Sequence, residues 1–205
     1  MKSYHSLFVV IEGPSGSGKS TLNAALSQAL EISNLNILST REPTDNFNRN
    51  LENTSSGEML YAAFIRDRMW HVINEIKPAL VQGSIVICDR YIPSTLTYQC
   101  LEGMNFDKVY SENERFPIPD LVIYLDVDEN ELSRRLDERS ELTRFENRDF
   151  RTKEINQYKI VMEKLSQKGW AILTIDNDNV SLKDNVQTII SIIVDIQQQK
   201  IVLRS

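Results

Sequence analysis

Eight consecutive residues, Gly13, Pro14, Ser15, Gly16, Ser17, Gly18, Lys19 and Ser20, fit the pattern G-x-x-x-x-G-K-[ST]. Glycines in such a run let the backbone curl, so that successive N–H groups point inward and cradle phosphate oxygens. The lysine reaches β- and γ-phosphates, and the hydroxyl after it can ligate Mg²⁺. The flanks suit that reading. Leu7 to Ile11 is an apolar run that reads as a buried strand, and Thr21 to Leu30 reads as a helix. The N-terminus of that helix adds partial positive charge to the loop. Asp89 closes a later apolar run, Ser84 to Cys88, where a carboxylate holds Mg²⁺ directly or through water. Together these residues describe a site for the phosphates of a nucleotide and for Mg²⁺. Such a site needs little acid–base chemistry: it aligns two phosphates and neutralises them with a metal, a lysine and arginines.

Short apolar runs at residues 7–11, 36–40, 84–88, 121–125 and 170–175 alternate with helical patterns over 56–82, 129–139, 150–167 and 182–198. Near-continuous apolar strands separated by helices predict an α/β fold of the P-loop NTPase type. Its sheet is parallel and five-stranded, with helices on both faces. Ligands of such sheets lie beyond the carboxyl ends of the strands. Each chemically loaded segment follows a strand: the P-loop, Arg41-Glu42-Pro43 and Asp89-Arg90-Tyr91. The absence of a linker or repeat predicts a single domain over residues 1–205.

Composition sets the outer bounds. The 205 residues are 41% hydrophobic and 25% charged, with a formal net charge of −6. That balance argues against a nucleic-acid binder, which would show a basic face. It permits a small phosphorylated ligand in a local basic pocket. Cys88 and Cys100 form no disulfide or metal-ligand pattern, and no apolar run is long enough to span a membrane. A cytoplasmic protein with no membrane partner is expected.

A guanine-reading Asn-Lys-x-Asp is missing, which leaves the nucleotide and nucleoside kinases as the common class of this length. Here the sequence resembles thymidylate kinases. The resemblance runs through Phe8 to Gly13 and the P-loop, Thr40-Arg41-Glu42-Pro43, Phe64-Ile65-Arg66-Asp67-Arg68 and Ile76 to Leu80. It continues through Asp89-Arg90-Tyr91, Ser94-Thr95, Tyr98-Gln99 and Pro119 to Asp126, and ends in a lid-like stretch, Arg139 to Glu146, within a short lid at about 139–150.

The resemblance implies ATP as donor, Mg²⁺ held by Ser20 and Asp89, and dTMP as the preferred acceptor. It implies that Arg41 and Arg90, beside Glu42 and Pro43, bind the acceptor phosphate, bidentately where guanidinium forks allow. Phe64 and Arg68, one helical turn apart, would take the thymine ring by stacking and hydrogen bonding. Ser94, Thr95, Tyr98 and Gln99 would read the base edge and crowd the sugar 2′ position. Ser17 stands where some members carry a catalytic arginine, so the missing charge is expected from the lid, first Arg139 and then Arg144, with Arg135 near adenine. The family also suggests a homodimer packed through long helices. Two features depart from the family. Ser15 occupies a position usually acidic, so that either Glu42 or Asp89 compensates or acceptor recognition differs. Thr44-Asp45-Asn46-Phe47-Asn48 replaces a Gly-Gly-Thr run. A related kinase with another acceptor, or a non-catalytic nucleotide binder, remains open on these residues alone.

Overall fold

A computed structural model describes residues 6–32, 35–137 and 148–202, without the side chains of 136, 137, 148, 149, 201 and 202. Five parallel strands form one sheet in the order β2-β3-β1-β4-β5. They are β1 (Leu7–Glu12), β2 (Ile37–Arg41), β3 (Ile85–Asp89), β4 (Leu121–Asp126) and β5 (Ile172–Asp176). β1 lies at the centre: Val10 stands opposite Cys88 on one side and Val122 on the other. Chain connections diverge on either side of β1, and the P-loop leaves its carboxyl end at that switch point.

Alternation along the strands explains the two-sided burial. Leu7, Val9 and Ile11 face α1 (Lys19–Ile32) and α9 (Leu182–Val202), packing against Leu22, Leu26, Ile189 and Ile193. Phe8 and Val10 face the opposite layer, packing with Leu96 of α5 (Ile92–Leu101), Val109 of α6 (Phe106–Asn113) and Val161 of α8 (Arg148–Gln167). Every residue of β1 and β3 is buried. Such strands need apolar side chains on both faces, which is why they read as unbroken runs.

The long helical pattern at 56–82 is three elements. α3 (Gly57–His71) passes into a π-helical turn (Val72–Ile76) and then α4 (Lys77–Val81). Pro78 supplies the reason. It lacks an N–H, and its ring would clash with the carbonyl one turn earlier in a regular α-helix. The wider π turn accommodates it. α2 (Asn50–Thr54), α5 and α6 are helices that the apolar pattern does not reveal. α7 (Glu129–Asp137) ends where description stops, so Arg139 and Arg144 lie outside the described residues.

Candidate active site

The P-loop is held from several directions. Ser17 N–H donates to the Pro14 carbonyl at 3.1 Å, and Asn177 Nδ2, from the loop after β5, donates to the Ser17 carbonyl at 2.7 Å. Gly13 has φ +149, and a Cβ there would meet Ser17 Oγ at 2.8 Å and the Leu125 carbonyl at 2.9 Å. At Gly18, with φ +94, a Cβ would meet Asn177 Nδ2 at 2.9 Å. Only glycine fits either position. Lys19 Nζ lies within the loop, donating to the Pro14 carbonyl at 2.6 Å and Ser17 Oγ at 3.3 Å. Burial pulls its ammonium down to about 7, and the Arg90 charge acts in the same sense. The negative charge of an incoming phosphate favours the ammonium form and opposes both influences.

Ser20, the second residue of α1, donates from Oγ to Asp89 Oδ2 at 2.6 Å. The other carboxylate oxygen, Asp89 Oδ1, is buried without a hydrogen-bond partner. One hydroxyl and one carboxylate with an open oxygen form a hard, all-oxygen set. That suits Mg²⁺, which keeps several waters and takes its remaining ligands from phosphates. Among the described residues no cluster of three or more acidic, His or Cys side chains offers a closed metal cage.

Beside this pair opens a cavity of about 290 Å³ lined by Arg41, Glu42, Pro43, Phe64, Arg68, Arg90, Ser94, Thr95, Tyr98 and Gln99, with Ser15, Ser20 and Asp89 at its P-loop end. The structure thus brings the expected acceptor residues together from β2, α3, β3 and α5. Gln99 is buried and its Oε1 has no partner. The ring of Phe64 is stacked on Phe47, with centroids 4.9 Å apart and planes 4° apart. Phe47 belongs to the loop that replaces the glycine-rich run. That loop is pinned by Thr44, whose N–H and Oγ1 donate to Asp67 at 2.8 and 2.6 Å.

The arginines differ sharply in setting. Arg41 is exposed and paired with Asp45. Arg68 is 2% exposed. It donates to Glu42 from Nε (2.8 Å) and Nη2 (2.6 Å), to Thr95 Oγ1 (2.8 Å) and to Asn113 Oδ1 (2.6 Å). The remaining Glu42 oxygen is 3.0 Å from Nδ1 of the buried His71, whose Nε2 lies 2.8 Å from Thr40 Oγ1. Arg90 has φ +70, a conformation that costs a non-glycine residue roughly 1–2 kcal/mol. Its Nη1 donates to Tyr158 (2.9 Å) and Ser94 Oγ (3.2 Å), and its Nη2 donates to Ser15 Oγ (3.3 Å). Glu12, fully buried, accepts from Tyr91 N–H at 2.7 Å and from Ser94 Oγ at 2.6 Å. Burial pushes its carboxyl above the usual range.

Several of these partners escaped the sequence reading. The carboxylate beside Ser15 is neither Glu42 nor Asp89 but Glu154 of α8, whose Oε1 accepts the Ser15 N–H at 3.0 Å. Glu12, His71, Asn113, Tyr158 and Asn177 also lie far in sequence from the groups they hold. The one available signal was spacing: Glu154 and Tyr158 are a helical turn apart, as are Ser94 and Tyr98. On the donor side, Arg135 donates to the Asn177 carbonyl at 2.9 Å and pairs with Glu131 and Asp178. Hydrogen bonds from Arg134 and Arg135 pull the Glu131 carboxyl down to about 2.

Comparison with known proteins gives the family. Residues 11–189 match the family model described as thymidylate kinase. A probable thymidylate kinase of Methanococcus aeolicus is 34% identical over 203 residues, covering 96% of this chain and 98% of that one. A probable thymidylate kinase of Pyrococcus horikoshii is 38% identical over 151 residues (68% and 74%). The thymidylate kinase of Bacillus licheniformis is 37% identical over 150 residues (65% and 69%).

Proposed function

The chain belongs to the thymidylate kinase family, and from that premise we propose that it transfers the γ-phosphoryl group of ATP to dTMP, giving dTDP and ADP. The observation that carries the acceptor is one cavity: Arg41, Arg68 and Arg90 share it with Phe64 and Gln99, against the P-loop end of the sheet. Arg41 and Arg90 meet the acceptor phosphate. Phe64 offers the thymine ring its free face, Phe47 covering the other. Arg68 has one N–H, on Nη1, beyond those used by Glu42, Thr95 and Asn113, enough for one base oxygen. Ser94, Thr95, Tyr98 and Gln99 form the wall against base edge and sugar.

On the donor side, the backbone from Gly13 to Thr21 wraps the ATP phosphates, Lys19 meets the β- and γ-phosphates, and Arg135 stands near adenine. Ser20 and Asp89 would hold Mg²⁺, whose positive charge would offset that of the phosphates. Lid arginines supply the remaining positive charge. Arg139→Ala is expected to lower kcat by about 10²-fold or more with little change in acceptor KM, and Arg144→Ala to show a weaker form of the same loss. We further read the chain as one domain and as a homodimer. Trp70 and Ile73, 39% and 56% exposed on α3 and its π turn, support a helical contact. Cys88 and Cys100, both free, suit the reducing cytoplasm.

The deciding measurement is coupled ADP release across a panel of acceptors. We expect dTMP above dUMP, and both far above dCMP, dAMP and thymidine, because buried polar groups go unpaired against a wrong base edge. A preference for thymidine would remove the phosphate role of Arg41 and Arg90. A preference for a purine monophosphate would remove the base role of Phe64 and Arg68.

A further inference from the structure

Glu154 is wholly buried on α8, yet it is not part of the apolar layer around it. Its Oε1 accepts two hydrogen bonds, from the Ser15 N–H at 3.0 Å and from the Tyr98 hydroxyl at 2.5 Å. Its Oε2 is buried with no partner. A buried carboxylate oxygen without a partner carries a desolvation cost that an apolar side chain would not. Its placement therefore asks for a reason.

The reason lies in the order of protons around Arg90. Arginine only donates, so Ser15 Oγ accepts from Arg90 Nη2 at 3.3 Å. Tyr98 gives its proton to Glu154. The Ser15–Tyr98 contact at 3.4 Å must then run from the serine hydroxyl to the tyrosine oxygen. Every donor in the series Arg90, Ser15, Tyr98 points toward Glu154. A second series mirrors it: Arg90 Nη1 donates to Tyr158 and Ser94, and both of these contact Glu12 Oε2, at 3.3 and 2.6 Å. Two hydroxyl relays thus grip Arg90, each ending in a buried carboxylate. The P-loop contributes no acid of its own, because residue 15 is serine.

We propose that Glu154 is a positioning residue for phosphoryl transfer: through Ser15 and Tyr98 it fixes the acceptor-side corner of the P-loop and the guanidinium of Arg90, before any acceptor binds. This rests on the acceptor reading above for its kinetic consequence, but not for its structural one. Ser15, Tyr98 and Arg90 all line the acceptor cavity, so the effect falls on the acceptor rather than on ATP.

The test is Glu154→Gln, which keeps the volume and one oxygen while removing the charge. Acceptor KM for dTMP should rise about tenfold, the fold-change expected for one lost charge-assisted hydrogen bond, with ATP KM within about twofold. The Ser15 amide should exchange with solvent faster in the ligand-free protein. Tyr98→Phe, which removes only the hydroxyl, should raise acceptor KM in the same direction and add nothing to Glu154→Gln in the double variant. That variant keeps the proposal testable if Glu154→Gln does not fold. Unchanged acceptor KM in either variant overturns the proposal. So does a common rise of both KM values with lower Tm and an unaltered Ser15 amide, which would mark Glu154 as structural only. If the wild-type enzyme does not phosphorylate dTMP, the acceptor reading fails, and Ser15 exchange still decides the brace.

Discussion

Two sets of cations, one inside the fold and one at its surface, sit under opposite physical conditions. Lys19 and Arg68 are buried and Arg90 is partly buried, and each is fixed by carbonyls, hydroxyls or carboxylates before a nucleotide arrives. Arg41 and Arg134 are more than half exposed, at 59% and 60%, and pair with Asp45 and Glu131 across a turn. A buried cation in place cannot relax into solvent, so its orientation is settled when the protein folds. An exposed ion pair gains little and exchanges readily with water and salt. On the function proposed above, the contrast sets preorganised charge at the transferring phosphates and adaptable charge at the surface.

The sharpest way to break this comparison is at Lys19. Lys19→Ala should lower kcat by about 10³-fold or more while the protein still folds, since the role proposed for the lysine is to stabilise the transferring phosphates and its burial is unfavourable to its charge. A folded variant with near wild-type turnover would remove Lys19 from the chemistry.

Arg68→Ala comes next. It strands Glu42 in the interior beside His71 and should destabilise by about 3–5 kcal/mol, measured by denaturant unfolding, together with loss of acceptor binding. Replacing Arg41 by alanine is the counterpart. Stability should move by no more than about 0.5 kcal/mol, whereas acceptor KM should rise. Equal stability losses in the two variants would erase the distinction between wall and rim.

The smallest effect belongs to Arg134→Ala. Its pair with Glu131 is exposed and screened by solvent, so it contributes little to stability. Turnover and both KM values should stay near wild type in the coupled assay. Arg135→Ala, which also loses the Asn177 carbonyl, should raise ATP KM alone. A turnover defect at Arg134 would show that rim charge takes part in transfer.

Much of this was legible before any coordinates. The P-loop spelling, the apolar runs and the alternation of strand and helix depend on local rules: glycine at positive φ, burial on both faces of a parallel strand, and period in helices. Arg41, Arg68, Arg90, Phe64, Gln99 and Asp89 were identified from motifs, and all six line the cavity. The pattern at 56–82 misled by its continuity, because apolar spacing does not register the wider turn before Pro78.

The sequence by itself determined the chemistry available and the strands that present it. Which carboxylate answers which cation was decided only by the tertiary structure. Glu42 was one of two carboxylates expected to compensate for the missing acid at Ser15, but it pairs with Arg68 and His71, and Glu154 arrives at Ser15 from 139 positions along the chain. Hydrogen bonds act over about 3 Å, and sequence separation sets no limit on them once helices pack. α5 and α8 meet through Tyr98 and Tyr158, with ring centroids 6.3 Å apart, and that contact carries Glu154 to the loop. No local pattern encodes the meeting, because its driving force is the shared burial of side chains from both helices against the sheet.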